Sequence, residues 1–245
     1  MEVHHHPEVE KKGFKEYLLE GLMIFVAVTM GFFAESIREN ITNKEHVQQL
    51  CRGFVQELRS DTARLDKVMA AHQGYVKNDD SLLVLLQQPM AGMDTRKLQQ
   101  LIGNSYSIKL FQGSSGSINA IKSELHLKQF SSSGIANYIS DYQFEEDIVK
   151  HVEDLELQHI TSHIQPFCEA HFTTANMSAY FFSKNQRVAD GRLRNLKQDD
   201  IEQLGVNVSI LKVLHLDAIE HQDSVKQEAV RLIKYINDRF GLDEK

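Results

Sequence analysis

Between Gly21 and Ala34 the chain runs for 14 residues without a charge. Extended from Tyr17 to Ile37, the apolar segment is 21 residues long, interrupted only by Glu20, Glu35 and Ser36. As a helix rising about 1.5 Å per residue it would reach roughly 31 Å, the hydrocarbon thickness of a bilayer. Both glutamates then fall near the interfaces, where an acid can be hydrated. Phe14 and Tyr17 sit where interfacial aromatics belong. Residues 17–37 are therefore predicted to form a transmembrane helix, with a basic, histidine-rich tail over 1–16 and an extramembrane domain over 38–245.

Two other readings compete with a span. A buried core helix of a soluble protein has the same local composition. A cleaved signal peptide needs a small residue three positions before the cut, but Phe32 holds that place if cleavage follows Ala34. No cysteine follows closely enough for lipidation, because Cys51 is too far along. An uncleaved signal-anchor fits best. Lys11, Lys12 and Lys15 crowd the N-terminal flank, while Arg38, Lys44 and Arg52 are spread along the other. The immediate flanks thus favour a cytoplasmic N-terminus and a translocated, periplasmic domain at the inner membrane. Within the span, Ala27 and Gly31 form a small-x-x-x-small pair and Glu35 continues the same face, a pattern that lets transmembrane helices approach and hydrogen-bond.

The stretch from Glu16-Tyr17-Leu18-Leu19-Glu20-Gly21 to Phe32-Phe33-Ala34-Glu35-Ser36-Ile37-Arg38-Glu39 resembles an uncharacterised bacterial family of single-pass membrane proteins, defined by a domain of unknown function. The preceding His4-His5-His6-Pro7 is similar to that family's start. Asn119-Ala120-Ile121-Lys122-Ser123 and Ile139-Ser140-Asp141-Tyr142 are similar more loosely. The resemblance implies membrane anchoring and no activity, cofactor or catalytic residue.

Beyond the span, Val47, Cys51, Phe54, Leu58, Asp61, Leu65, Val68, His72 and Tyr75 follow alternating steps of four and three. That is a helical seam with polar entries at Asp61 and His72. With no proline between residues 8 and 88, a single helix from about Lys15 through 38–77 is feasible. The seam fits a coiled coil between chains or packing against helices of its own chain, and the second is the stronger expectation because strong charge ladders at the flanking positions are absent. Asn78-Asp79-Asp80-Ser81 is expected to cap a separate short helix, and Asp94 to cap another over Thr95 to Ile102. Tyr106, Ile108 and Leu110 alternate, as a short strand or an extended connection would. A second long helix is expected over 133–165, stopped or kinked before Pro166. Helix is also expected from Phe167 to Phe182, then a basic linker from Ser183 to Lys197. Asp199 or Asp200 is expected to cap a short turn ended by Gly205, ahead of a third long helix over 208–240 that Gly241 closes. The fold class read from this pattern is all-α: one transmembrane helix continuing into a long helix, followed by a helical bundle.

Candidate chemistry centres on Glu156, His159 and His163. On one helix they fall within about 60° of each other, and imidazoles four residues apart commonly offer two nitrogens to one metal, here zinc or copper. Di-iron bundles need two Glu-x-x-His motifs and further glutamates, and the long helices carry one. The His4-His5-His6 tail beside three lysines reads as a lipid-facing basic patch. Gln112-Gly113-Ser114-Ser115-Gly116-Ser117 lacks the lysine of a phosphate loop and reads as a connector. Cys51 and Cys168 lie on apolar stretches where free thiols pack well, and the Cys168/His171 spacing reads as structural. Glu145-Glu146-Asp147 reads as a solvated face.

No catalytic constellation emerges, so no enzyme is expected. The net charge of −7 argues against nucleic acid as a partner. The expected role is a membrane-anchored helical interaction or scaffold protein, self-associating or bound to another membrane protein, with the lipid bilayer as a partner. The alternative is a ligand- or metal-sensing module that signals through a membrane partner, since the short N-terminal tail leaves no room for an output domain.

Overall fold

The heptad seam predicts one long helix after the apolar run, and the computed structural model, which describes residues 13–181 and 191–242, contains it as α1, Phe14–Leu86. The described residues are 84% helical with no strand. They divide into two compact units, Met1–Gln49 and Leu50–Lys245. In the first, the described residues are the N-terminal part of α1. An 18-residue window there has a mean hydropathy of 1.9 and none of it is buried. One helix near the N-terminus is thus long and apolar enough to cross a membrane. Ala27, Gly31 and Glu35 are all exposed on it, and the Glu35 Oε2 accepts from Arg38 Nε at 2.9 Å. His4, His5, His6, Lys11 and Lys12 lie outside the described residues.

The second unit is a helical body. After a 3-10 turn at Met90–Gly92 come α2 (Thr95–Ser105), α3 (Gly116–Ser123), α4 (Lys128–Ser131), α5 (Ile135–His159), a π-helical turn over Ile160–Ile164, α6 (Gln165–His171), α7 (Thr174–Phe181) and α8 (Gln198–Phe240). Cys51, Phe54, Leu58, Leu65 and Val68 of the α1 seam are buried, as are Ile135, Ile139 and Val149 of α5 and Leu211, Val225 and Leu232 of α8. A second apolar cluster joins Leu82 and Leu86, Leu98 and Ile102, Ile160 and Ile164, and Ile201 and Leu204. The seam therefore packs within its own chain.

Several boundaries differ from expectation, each for a physical reason. Asn78 to Ser81 do not open a new helix. Asn78 Nδ2 donates to Leu101 O and Ser105 Oγ at 2.9 and 2.8 Å, and Asp79 Oδ1 accepts from Ser105 Oγ at 3.0 Å. Tertiary partners on α2 thus take the side chains that capping would have used. Asp94 does cap α2, accepting from the amides of Arg96 and Lys97. Pro166, by contrast, marks the expected break, with α5 ending at His159 ahead of it. Its preceding turn widens to a π-turn, which makes room for a ring that lacks an N–H and crowds the carbonyl four residues back. Of the basic linker expected over Ser183 to Lys197, only 191–197 is described, without helix. Gly205 does not end a turn: α8 runs through it, and Asp200 Oδ2 caps the start by accepting from Lys197 N at 2.9 Å. Burial of Ile201, Leu204 and Val208 along that stretch outweighs the roughly 1 kcal/mol that one glycine costs a helix. Gly241 closes α8 with a left-handed φ of 59°, as expected.

The connection over 111–115 and the first turn of α3 are tied down by carboxylates. Phe111 N donates to Glu153 Oε1 at 2.9 Å, Ser114 N to Asp61 Oδ2 at 2.9 Å, and Ser117 N to Glu57 Oε2 at 3.0 Å. Three of their amides are thus committed to anions of the same chain, and a phosphate would meet negative charge. Glu146 is half-buried against this loop rather than solvated: a Cβ at Gly113 would lie 1.9 Å from its Oε1. Gly113→Ala is accordingly expected to push the flexible end of the Glu146 side chain aside, at a cost of no more than about 1 kcal/mol. Thermal melting checks this, and a loss well above that would mean Glu146 cannot yield.

Candidate functional site

The heptad steps that bury apolar residues also bury ionisable ones. His72 on α1, Glu156 on α5 and His215 on α8 are each 0% exposed and meet at the centre of the helical body. The Glu156 carboxylate spans both imidazoles. Its Oε2 lies 3.2 Å from His72 Nε2 and its Oε1 2.8 Å from His215 Nδ1. One ligand atom from each of the three lies within 4.8 Å of the others.

The backs of the rings are also oriented. His72 Nδ1 lies 3.0 Å from the carbonyl oxygen of Val68, and a carbonyl only accepts, so this nitrogen carries a proton. His215 Nε2 faces Asp79 Oδ2 at 3.6 Å. Both atoms are buried without a hydrogen bond. The ring of Tyr75 packs against both imidazoles, with centroids 5.5 and 5.3 Å away. Gln222 joins the layer by donating from Nε2 to Glu153 Oε1 at 3.1 Å.

Electrostatics follow from this arrangement. Burial alone would push His72 down, but the hydrogen bond and charge of Glu156 outweigh it, leaving His72 above its ordinary value. Burial likewise opposes ionisation of Glu156, and its bonds to His215 and His72 overcome this, holding the carboxyl below its usual range. Asp79 fares differently. Burial pushes it up to about 6, only partly offset by His215, Ser105 and Asn78. Glu153 is pushed up to about 7 by burial, against the opposing Phe111 amide and Gln222.

Of the three metal-ligating residues read from the sequence, the structure brings only Glu156 into this centre. His159 is half-buried at the edge, where its Nε2–H donates to Asn207 O at 2.8 Å. Burial lowers it further from its ordinary value than that bond can restore. His163 lies beside it, with ring centroids 4.7 Å apart. Leu155, Gln158, Ser162 and Leu214 complete that shallow surface pocket. The correction has a simple cause: both Glu156 oxygens are taken by imidazoles of other helices. Sequence reasoning placed His72 in a seam but gave it no role, and missed His215. The missing signal was periodicity in α8, where Leu211, His215, Ala218, Gln222 and Val225 keep the four-three steps.

The cysteines serve no such site. Cys51 and Cys168 are free and buried, and burial pushes both thiols up to about 12. A thiol so reluctant to ionise is a poor nucleophile. The arrangement at His72, Glu156 and His215 can hold protons or a cation between three helices. No family model, curated protein or solved structure matches the chain, so this chemistry is read from its own residues.

Proposed function

We propose that the protein is a single-pass, membrane-anchored helical interaction module, with its N-terminus in the cytoplasm and its helical body outside the inner membrane. One observation carries the anchoring: the apolar window of α1 is wholly unburied. Leu22, Ile24, Phe25, Phe32 and Phe33 are each 57–73% exposed. Burying a large apolar side chain is worth roughly 1.5–3 kcal/mol. Leaving these five in water forgoes roughly 8–15 kcal/mol, comparable with the whole stability of an ordinary domain, about 5–15 kcal/mol. A bilayer removes that cost.

Retention in the membrane pellet after alkaline carbonate extraction is the expected result, and release into the supernatant would sink the anchoring. Val28→Lys, placed near the middle of residues 17–37, is expected to cost about 2.5–3.5 kcal/mol of insertion and move protein into the soluble fraction. Val28→Leu is expected to leave the distribution unchanged. A reporter fused after Lys245 tests orientation: activity confined to the cytoplasm would reverse it.

Self-association through Ala27, Gly31 and Glu35 is part of this reading, supported by the close approach that small residues permit. Crosslinking in native membranes is expected to trap a dimer that Gly31→Ile weakens. A purely monomeric chain would remove this part, and pulldown from the same membranes would identify a different partner. A second reading, a sensing module, is favoured by the buried cluster on α1, α5 and α8. Stabilisation of the folded chain by a small ligand or metal is its expected signature.

A further inference from the structure

We propose that His72, Glu156 and His215 bind one divalent transition-metal ion, with zinc as the representative, between α1, α5 and α8. The inference deepens the sensing reading by naming its ligand class, and it does not depend on the membrane anchor.

The case begins with proton accounting. His72 Nδ1 faces the Val68 carbonyl, 3.0 Å away, so its proton points there. In a neutral ring that leaves the Nε2 lone pair facing Glu156 Oε2 at 3.2 Å. His215 differs, because its hydrogen bond is on the Glu156 side, Nδ1 to Oε1 at 2.8 Å, and its Nε2 has none; the Nδ1 lone pair is free in the tautomer whose Nε2 proton points toward Asp79 Oδ2, 3.6 Å away. Two nitrogen lone pairs and an anionic carboxylate, all acceptors, then converge in a space sealed from water. Such a set needs a positive centre. Either each imidazole takes a second proton, or one divalent cation replaces both.

The donor set and its surroundings favour the cation. Two imidazoles and a carboxylate are ligands zinc accepts at about 2.0–2.2 Å, with a fourth position left over. Donors now within 4.8 Å of one another need to close by no more than about 1.5 Å to reach such a shell. His72 is backed by a hydrogen-bonded carbonyl on its other nitrogen and His215 faces a carboxylate oxygen at 3.6 Å, close to the arrangement that fixes tautomer and direction in metal-binding histidines. Behind His215 that carboxylate is Asp79, held in turn by Ser105 Oγ at 3.0 Å. Asp79 Oδ2 and His215 Nε2 are both buried and unsatisfied, and a short closure of their 3.6 Å gap, as His215 turned to a metal, would pair them. The ligands come from three helices remote in sequence, so a bound ion would tie the body together. Metal, two neutral imidazoles, Glu156 and Asp79 sum to zero charge, which suits a site of no solvent exposure.

The test uses the full chain in detergent, in a His4→Ala/His5→Ala/His6→Ala background so that the tail cannot bind metal. After zinc loading and exhaustive buffer exchange, about one zinc per chain is expected by mass spectrometry of the metal. A His159→Ala/His163→Ala variant is expected to keep it, and a His215→Ala variant to lose at least tenfold in affinity. Zinc is also expected to raise the melting midpoint by about 5 °C or more, reversed by a chelator. X-ray absorption at the zinc edge, on the chain with His72 and His215 intact, is expected to show a nitrogen and oxygen shell with two imidazoles, and needs no destabilised variant. Uptake well below one equivalent, a shell without two imidazoles, or uptake lost only with His159 and His163 would each overturn the proposal. Zinc uptake failing while the chain stays in carbonate-washed membranes would separate this failure from failure of the anchor.

Discussion

Glu156→Ala is expected to lower the unfolding free energy by about 3–5 kcal/mol, measured by denaturant melts in the presence of a chelator. Glu156 is fully buried and bonds His72 and His215 at once, so its removal strands two imidazoles where no water can reach them. Both rings would have to shed protons or find new partners. Breaking a buried charged network by deleting one member costs more than the network itself contributes, because the desolvated partners remain. Glu156→Gln is expected to cost less, since an amide still offers one acceptor and one donor. Asp154→Ala provides the contrast: on the same helix but exposed, it is expected to change stability by no more than about 0.5 kcal/mol. A Glu156→Ala chain within about 1 kcal/mol of wild type would mean that the imidazoles do not depend on the carboxylate. Combining it with His72→Ala is expected to give less than the sum of the two single losses, because the two side chains share one interaction.

How far this centre was legible follows from where its residues fall in the heptads. The α1 seam was read through Tyr75, and its continuation through Asp79, Leu82 and Leu86 keeps the same steps. All three are buried. In α5 the steps Tyr142, Glu146, Val149, Glu153, Glu156 and Ile160 place three acids on the core face. Reading the apolar residues alone left Glu146 on a solvated surface. In α8 the steps carry His215 and Gln222. The all-α class and the long helices followed directly from periodicity, because burial of a stripe needs only one helix. Pairing of Glu156 with His72 and His215 needed the relative heights of three helices, which no single helix encodes. Local spacing therefore matched Glu156 to His159 and His163, neighbours that its own helix turns toward the edge. The signal that was available is that polar residues recur at core steps in all three seams, and each must find a partner from another seam. Gly205 misled for a related reason. Propensity acts within a helix, while the burial of Ile201 and Leu204 is settled by packing.

The metal-free chain is expected to be most stable near pH 5 and to lose stability steadily toward pH 8, opposite to a protein held by ordinary salt-bridged carboxylates. Glu146 and Glu153 both have carboxyls raised from 4.5 to about 7, chiefly by burial. A raised acid favours folding fully below its unfolded value, and that advantage disappears as pH climbs from 4.5 through about 7. Glu146 faces Tyr142 on its own helix and the charges of Asp61 on α1 and Asp147 beside it, and only the tyrosine helps it ionise. For Glu153, 4% exposed, the loss over that window is on the order of 3 kcal/mol. Glu146 is more exposed, so water screens its share to a smaller value. Asp79, raised to about 6, adds in the same direction over a lower window, from 3.8 upward. His72, raised above its ordinary 6.5, contributes stability at low pH that fades as pH passes through its folded value. Glu156 runs the other way. Its lowered carboxyl supports folding above 4.5 and loses that support on further acidification, which sets the acid limit of the optimum. Melting midpoints recorded with chelator at half-unit steps from pH 4 to 8.5 should trace this curve. Glu146→Gln, which keeps the side chain's size but cannot ionise, should flatten the slope between pH 4.5 and 7. A midpoint that rises from pH 5 to 8, or a slope untouched by Glu146→Gln, would show that these acids are ionised in the folded chain at no cost. The cradle of carboxylates around Phe111 to Ser117 would then have to be wetter than their burial implies.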